Sequence, residues 1–307
     1  MNIAFLMDPL HKVKPHKDTT YHLMLAAHER GHRVFYTAQD SLSLRGAELR
    51  ARLTEVAVHT DHLRPFTIGE SRGRALSEMQ VVMVRTDPPL DRRYFYATLL
   101  LDFLPPSTRV VNAPRGLRDW NEKLAALHHP EFCPPTLIAR DTGDIRAFAE
   151  THGRAVVKPV DGHGGEGIVF VSADGGGDDL INAATAGGSR WVVAQKYLPE
   201  ARDGDKRILL LNSEPLGAVL RVHAAGQELN NLDAGGAAHP ATLDNRDKEI
   251  CAALTPDLRK HGITFCGIDI IGGQLVEINI TSPTCLQELC RFSGVDHHHR
   301  VIAALEG

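Results

Sequence analysis

FCGIDIIGGQLVEINITSPT, residues 265–284, is the stretch whose reading decides the fold. Two apolar runs flank Gly272-Gly273, a pair that lets a chain reverse with φ > 0, so the stretch reads as a β-hairpin. Its register follows from the side chains. A three-residue loop of Gly272, Gly273 and Gln274 sets Ile271 opposite Leu275 and Asp269 opposite Glu277. It also gathers Ile268, Ile270, Val276, Ile278 and Ile280 on the other face. A two-residue loop would put the two acids on opposite faces and scatter the isoleucines. Carboxylates that face each other repel. With Asn279 two residues beyond Glu277 on the same face, they make an all-oxygen set suited to Mg²⁺, or to Mn²⁺ in its place. The competing reading is two solvated acids on a surface hairpin.

Working outward, the 307 residues are enough for two or three domains, and the net charge of −4 gives no basic footprint, so no nucleic-acid partner is expected. Residues 1–10, MNIAFLMDPL, are too short an apolar run for a signal peptide. No stretch approaches the roughly 20 apolar residues of a membrane span. The five cysteines form no CxxC pair. Reduced thiols and a cytoplasmic location fit these features. The run Asp296-His297-His298-His299 is expected to be a solvated helix start and not a metal site.

The chain opens as a βαβ unit. NIAFLMD (2–8) is a strand. Asp18 offers an N-cap to a helix carrying Tyr21, Met24, Leu25 and His28, Gly31 ends it, and RVFYTA (33–38) is the next strand. That pattern predicts a parallel sheet. Residues 44–75 read as a hairpin or irregular excursion. VVMVR (81–85) is a strand with Arg85 at its carboxyl end, where open α/β sheets place ligands, or held in a local Arg–Asp pair. A strand at 109–112 precedes a helix near 117–129 that contains Asn121, Glu122 and Lys123.

Pro134-Pro135 marks a boundary, followed by a strand, a helix and AVVKPVDGHGGEGIVFVS (155–172). Gly162, Gly164, Gly165 and Gly167 let backbone N–H groups approach phosphates, because no Cβ intervenes. No Gly-Lys-Ser/Thr follows, and the next element is a strand, so this is neither a Walker A loop nor a dinucleotide-binding turn. It reads as a hairpin flap, with Lys158 half buried and in want of an anion. WVVAQKYL (191–198) is a strand, and DGDKR opens a second antiparallel hairpin carrying Arg207 and Arg221, suited to bidentate binding of carboxylate or phosphate or simply exposed. Residues 224–240 form a small, polar loop fit to be a lid, and 244–261 an amphipathic helix with Ile250, Leu254 and Leu258 on one face. A last helix is expected near 296–305.

In this order the features resemble the ATP-grasp ligases, and within them the bacterial glutathione synthetases, over nearly the whole chain. The matching stretches are MDP (7–9), RTDPP (85–89), NEK (121–123), KPVDGHGG (158–165), QKYLP (195–199), DGDKR (203–207), DAGG (233–236) and GIDIIG…VEINITSPTC (267–285). The resemblance implies an α/β N-terminal parallel-sheet domain followed by an α+β ATP-grasp fold. It divides the chain into an N-terminal domain at 1–121, a central domain with the flap at 122–190 and a C-terminal domain with the metal and substrate site at 191–307. It further implies that Lys123 and Lys158, with the flap at Gly164 and Gly165, contact ATP phosphates. Gln195, Lys196, Tyr197 and Leu198 would line the adenine slot, and Asp205 would reach the ribose. Asp269, Glu277 and Asn279 would hold Mg²⁺. Arg207, Arg221, Ser282, Thr284 and Arg85 would hold γ-glutamylcysteine, with Lys158 and Arg207 stabilising charge as glycine is joined to it. The family commonly forms homo-oligomers. One departure stands out. The family's lid usually reads Glu-x-Arg-x-Asn, whereas this chain has Gln227, Leu229 and Asn231. Another acyl donor or amine, or an ATP-binding protein without catalysis, are the alternatives.

Overall fold

The computed structural model describes residues 1–306 except 163, 175–176, 225, 227–229 and 231–234. Three sheets organise it. In the first, β1 (Asn2–Met7) pairs in parallel with β2 (Arg33–Thr37) and β6 (Val81–Arg85), and β6 with β7 (Arg109–Val111). The expected βαβ start is present: α1 (Thr19–Glu29) is capped by Asp18, whose carboxylate accepts from the Tyr21 N–H, and Gly31 follows its end at φ 79°. Its buried face carries Tyr21, Leu23, Met24 and Ala27, while Leu25 is only partly buried and His28 is exposed. The excursion at 44–75 resolves into β3 (Ser43–Arg45) and a hairpin of β4 (Glu48–Val58) and β5 (Phe66–Ala75), which extends the sheet with antiparallel strands. Between β6 and β7 runs α2 (Arg92–Leu101), and α3 (Pro114–Asp119) follows β7.

The helix expected near 117–129 stops at Asp119. Asn121 ends it locally: its side-chain oxygen accepts from the N–H groups of Lys123 and Leu124, an Asx turn that competes with the helical ladder. Residues 121–124 are therefore a turn before a short 3₁₀ segment at Ala125–His128.

The second sheet is antiparallel, in the order β10-β9-β11-β8, from β8 (Thr136–Ala139), β9 (Arg154–Pro159), β10 (Val169–Ser172) and β11 (Val192–Lys196). α4 (Thr142–His152) and α5 (Asp178–Thr185) cover it. A domain break at 190 would cut β11 from the strands it bonds to, so the central unit runs at least through Lys196. The third sheet is antiparallel in the order β14-β13-β12-β15-β16, from β12 (Asp205–Leu211), β13 (Glu214–Val222), β14 (Ala237–Ala241), β15 (Phe265–Ile271) and β16 (Gln274–Asn279). The end of the expected 224–240 loop is thus strand β14, and Gln227, Leu229 and Asn231 lie outside the described residues. α6 (Asn245–Lys260) buries Ile250, Leu254 and Leu258 against this sheet.

The deciding hairpin keeps Asp269 opposite Glu277 by a route other than the one expected. Ile271 pairs with Gln274 and Ile270 with Leu275 across a two-residue Gly272-Gly273 turn, and the register shifts by one residue before Asp269 meets Glu277. A β-bulge inserts a residue on β16 and restores the pairing that a short loop would otherwise destroy. In consequence Leu275, not Val276, joins Ile268, Ile270, Ile278 and Ile280 in the core, and Val276 turns to the other side. One core cluster runs continuously from the first sheet (Leu6, Val82) into the third (Ile208, Ile268), which fixes the two against each other. Asn112 ties them further, donating to the carbonyls of Phe265 and Ile280 and accepting from the Thr264 and Phe265 N–H groups. Two helices close the described chain, α7 (Leu286–Ser293), which sequence reading did not anticipate, and α8 (His297–Ala303). Among the described residues no helix is long and apolar enough to cross a membrane.

Candidate active site

The residues named above as contacts to ATP, Mg²⁺ or the peptide all line one cleft of about 300 Å³ between the second and third sheets, Arg85 excepted; of the flap glycines Gly162, Gly164 and Gly165 line it and Gly167 does not. The floor is the β12–β15–β16 surface. Asp269 is only 4 % exposed, which excludes the solvated-acid reading of the hairpin. It lies in a charged row. Arg207 Nε donates to Asp269 Oδ1 and Arg207 Nη2 to Oδ2 at 2.8 Å, while Arg221 Nη2 stands 3.0 Å from Oδ2. Arg221 also clasps Asp205 through two bonds of 2.6 and 2.8 Å. Arg207 reaches Asp269 by lying over Gly267. A Cβ there would come within 2.8 Å of Arg207 Cδ, so the glycine makes room for the guanidinium.

The energetics of this row follow from burial against pairing. Burial raises the Asp269 carboxyl, but Arg207 and Arg221 outweigh it and hold the group well below the usual carboxylate range. Asp205 shares Arg221 with Asp269 and is the weaker claimant. Burial pushes it up to about 6 despite the bidentate contact. Four groups, two guanidinium and two carboxylate, therefore balance one another across the floor.

The two lysines differ from each other. Lys123 Nζ stands 3.0 Å from Glu277 Oε1 and donates to the Gly162 carbonyl at the root of the flap. Lys158, 8 % exposed on β9, donates to Gln195 Oε1 at 3.3 Å and forms no ion pair among the described residues. Burial lowers its pKa from the ordinary lysine range, and nearby Glu277 recovers part of the loss. Glu277 is itself pushed up by burial, but Lys123 and Lys158 outweigh this and hold it below its usual value. A buried ammonium whose hydrogen bond goes to a neutral amide oxygen, with no carboxylate at ion-pair distance among the described residues, is a site for an anion.

Sequence reading missed how the turn at 121–123 joins these parts. Asn121 Nδ2 donates to Val160 O at 3.0 Å, tying the turn to the flap. Glu122 Oε1 accepts from the Ile280 and Thr281 N–H groups at 2.8 and 2.9 Å and from Thr281 Oγ1 at 2.9 Å, and its own carbonyl accepts from Ile278 N. The turn is thus a staple between the glycine-rich flap and the carboxylate strand. The Asn-Glu-Lys trio was visible, but its division of labour needs the third dimension. Arg85 sits behind the cleft: its Nη2 donates to Pro283 O at 2.9 Å and its Nε to Thr20 Oγ1 at 3.0 Å. It braces the Ser282–Thr284 segment and does not line the cleft itself. Burial brings its pKa down to about 10, so it remains charged at neutral pH. At the far end of the cleft Val156, Phe170, Tyr197, Leu198, Ile271 and Val276 make an apolar slot.

Two carboxylates facing across β15–β16 and an amide two residues on form a hard-oxygen set, so these residues fit Mg²⁺ on donor chemistry. In the protein alone their charge is met by Arg207, Arg221, Lys123 and the Asn279 amide, whose Nδ2 stands 3.1 Å from Asp269 Oδ2.

Comparison with known proteins identifies the family. Residues 1–118 match the model of the prokaryotic glutathione synthetase N-terminal domain, and 122–294 that of the prokaryotic glutathione synthetase ATP-grasp domain. A glutathione synthetase of Synechocystis sp. is 41 % identical, covering 100 % of this chain and 99 % of that one. One of Bradyrhizobium diazoefficiens is also 41 % identical, covering 100 % and 98 %. Among solved structures the D-cycloserine synthetase DcsG superposes with a TM-score of 0.68 at 15 % identity over 99 % of both chains. A RimK domain protein ATP-grasp from Sphaerobacter thermophilus gives 0.63 at 18 % over 100 % of both. At such identities these two speak to the fold alone. The full-length relatives and the two family models carry the assignment: this chain belongs to the prokaryotic glutathione synthetase family and has its ATP-grasp fold.

Proposed function

We propose that the protein joins γ-glutamylcysteine to glycine with ATP, through an acyl phosphate. The observation that carries this reading is Lys158, a buried ammonium without an ion-pair partner among the described residues, beside the facing carboxylates Asp269 and Glu277. Lys158 and Lys123, under the flap at Gly164 and Gly165, hold the ATP phosphates. The apolar slot by Gln195–Leu198 takes adenine, and Asp205 the ribose. Arg207 and Arg221, with the Ser282–Thr284 segment braced by Arg85, hold the peptide carboxylate. Asp269, Glu277 and Asn279 would hold Mg²⁺, which when bound neutralises charge on the transferring phosphoryl group.

In the first step the cysteinyl carboxylate attacks the γ-phosphorus and ADP leaves. In the second the glycine nitrogen attacks the acyl carbon, phosphate leaves with the former carboxylate oxygen, and the amine proton passes to phosphate or solvent. No covalent bond to the protein forms. Its work is positioning and charge stabilisation by Lys158 and Arg207, and exclusion of water that would hydrolyse the acyl phosphate. A cytoplasmic homo-oligomer is the organisation that accompanies this reading.

A second reading keeps the same chemistry with another acyl donor or amine. It is favoured by Leu229, which stands where the family's lid carries arginine. Phosphate release from ATP, measured over a panel of γ-glutamyl dipeptides and small amines with product mass, separates the two. Release with γ-glutamylcysteine and glycine, one phosphate per tripeptide, supports the first. Release that depends on another pair, or that runs uncoupled from any product, overturns it.

A further inference from the structure

The histidine run that begins α8 is not a solvated helix start. His297 is 2 % exposed and His298 9 %, while Asp296 is exposed and His299 partly so. Asp296 is the N-cap of α8, accepting from His299 N at 3.3 Å, and the short turn through Gly294 folds α8 back on α7. This brings Cys290, in the middle of α7, against the start of α8. Cys290 Sγ lies 3.4 Å from His298 Nδ1, Asp296 Oδ1 lies 3.6 Å from the same nitrogen, and all three atoms fall within 4.8 Å of one another.

We propose that Cys290, Asp296 and His298 form a binding site for a divalent transition metal of the zinc type, separate from the ATP cleft, that clips α7 to α8.

Four features argue for it. First, the spacing is that of ligands around one ion. Tetrahedral zinc with bonds of about 2.0–2.3 Å sets its sulfur, nitrogen and oxygen ligands roughly 3.3–3.6 Å apart; the sulfur–nitrogen and oxygen–nitrogen separations are 3.4 and 3.6 Å, and the sulfur–oxygen pair lies within 4.8 Å. Second, thiolate and carboxylate together supply two negative charges to a dication, and a sulfur–imidazole–oxygen set selects a borderline metal over Mg²⁺. Third, the His297 N–H donates to Cys290 Sγ at 3.2 Å, which holds the sulfur at the start of α8 beside the His298 ring. Fourth, a cysteine–histidine–aspartate relay is ruled out by connectivity. A relay needs sulfur and carboxylate on opposite ring nitrogens, whereas here both converge on Nδ1 and the buried Nε2 of His298 has no hydrogen-bond partner. The ring is fixed by stacking on His22 of α1, with centroids 4.8 Å apart and planes at 18°. The fourth position is left to solvent.

The site has a structural consequence for the cleft. α7 begins at Leu286, two residues after Thr284, so a clip at Cys290 in its middle holds the helix that anchors the Ser282–Thr284 segment. The test is titration of the metal-free full-length protein with Co²⁺ in excess Mg²⁺, which occupies the all-oxygen site. The expected result is one equivalent of Co²⁺ with thiolate-to-cobalt charge-transfer absorption, and a rise in Tm with Zn²⁺. Both should be lost in Cys290→Ser, and affinity should fall at least 10-fold in Asp296→Asn, where asparagine still caps α8. Nucleotide binding reports that each variant is folded, and Asp296→Asn carries the test if Cys290→Ser is not. Absence of the charge-transfer band in the wild type overturns the proposal, as does its persistence in Cys290→Ser or an unchanged Co²⁺ affinity in folded Asp296→Asn.

Discussion

Replacing Lys158 with methionine should move stability and nucleotide binding in opposite directions. The side chain is buried on β9, and among the described residues its ammonium has one hydrogen bond, 3.3 Å long, to Gln195 Oε1. Taking an ammonium out of water costs several kcal/mol even after relaxation, and a hydrogen bond from a charged donor returns only about 1.5–3 kcal/mol. Methionine matches the length, buries without that cost and leaves one amide oxygen to find water. The protein alone should therefore be unchanged or stabilised, by up to about 1–4 kcal/mol. Nucleotide binding should weaken by about 10- to 150-fold, the equivalent of one charge-assisted hydrogen bond. Turnover should fall by about 10²–10³, as for loss of one preorganised donor to a developing charge.

The sign with pH follows from the lowered pKa of Lys158. A base whose folded pKa lies below its unfolded value costs stability fully below the folded pKa, and the cost vanishes as pH rises towards the unfolded value of about 10.4. The wild type should therefore close the gap to Lys158→Met as pH is raised into the alkaline range. Thermal unfolding without ligand, over a pH series, and titration calorimetry with ATP supply the two readouts. A variant that loses several kcal/mol while its ATP affinity stays within twofold would refute the reasoning, since Lys158 would then be a structural group.

Glu277→Gln should unfold near the wild-type temperature yet lose most turnover at saturating Mg²⁺, and near-normal turnover would remove Glu277 from the metal set. Glu122→Ala strands buried donors at Ile280 N and Thr281 N, each worth about 1–3 kcal/mol, and should destabilise by about 3 kcal/mol or more. Glu122→Gln keeps an acceptor there and should recover most of it in the same denaturation measurement. Gly267→Ala puts a Cβ 2.8 Å from Arg207 Cδ. It should cost about 1–3 kcal/mol by overpacking and, if Arg207 holds the peptide carboxylate as proposed, lower kcat while leaving nucleotide affinity within twofold.

How far the sequence could be read depended on whether an element's geometry is local. The βαβ start, the flap and the pairing of Asp269 with Glu277 were legible because periodicity and glycine placement encode them residue by residue. The bulge on β16 was not. A two-residue turn with one inserted residue and a three-residue turn without it give the same Asp269–Glu277 pairing, and they differ only in whether Leu275 or Val276 enters the core. The turn at 121–124 was read as helix because its stop signal is an asparagine side chain folding back on its own backbone, which competes with good helix formers on either side. Arg85 was placed among substrate ligands because strand ends often carry them. In the protein alone its Nη2 donates to Pro283 O, 198 residues away, and its Nε to Thr20 Oγ1, contacts that leave no trace in local sequence. The buried histidines of α8 failed for the same reason. Their burial comes from α7 and α1, and α7 itself was hidden in a polar-looking run, LQELCRFS.

The central claim is that ATP activates a carboxylate held in this cleft, and oxygen transfer tests it most directly. γ-Glutamylcysteine labelled with ¹⁸O in the cysteinyl carboxylate should be converted with ATP, Mg²⁺ and glycine, and the released phosphate analysed by mass. An acyl phosphate places one labelled oxygen in each phosphate and leaves the other in the new amide. Tripeptide formed with unlabelled phosphate would contradict the account.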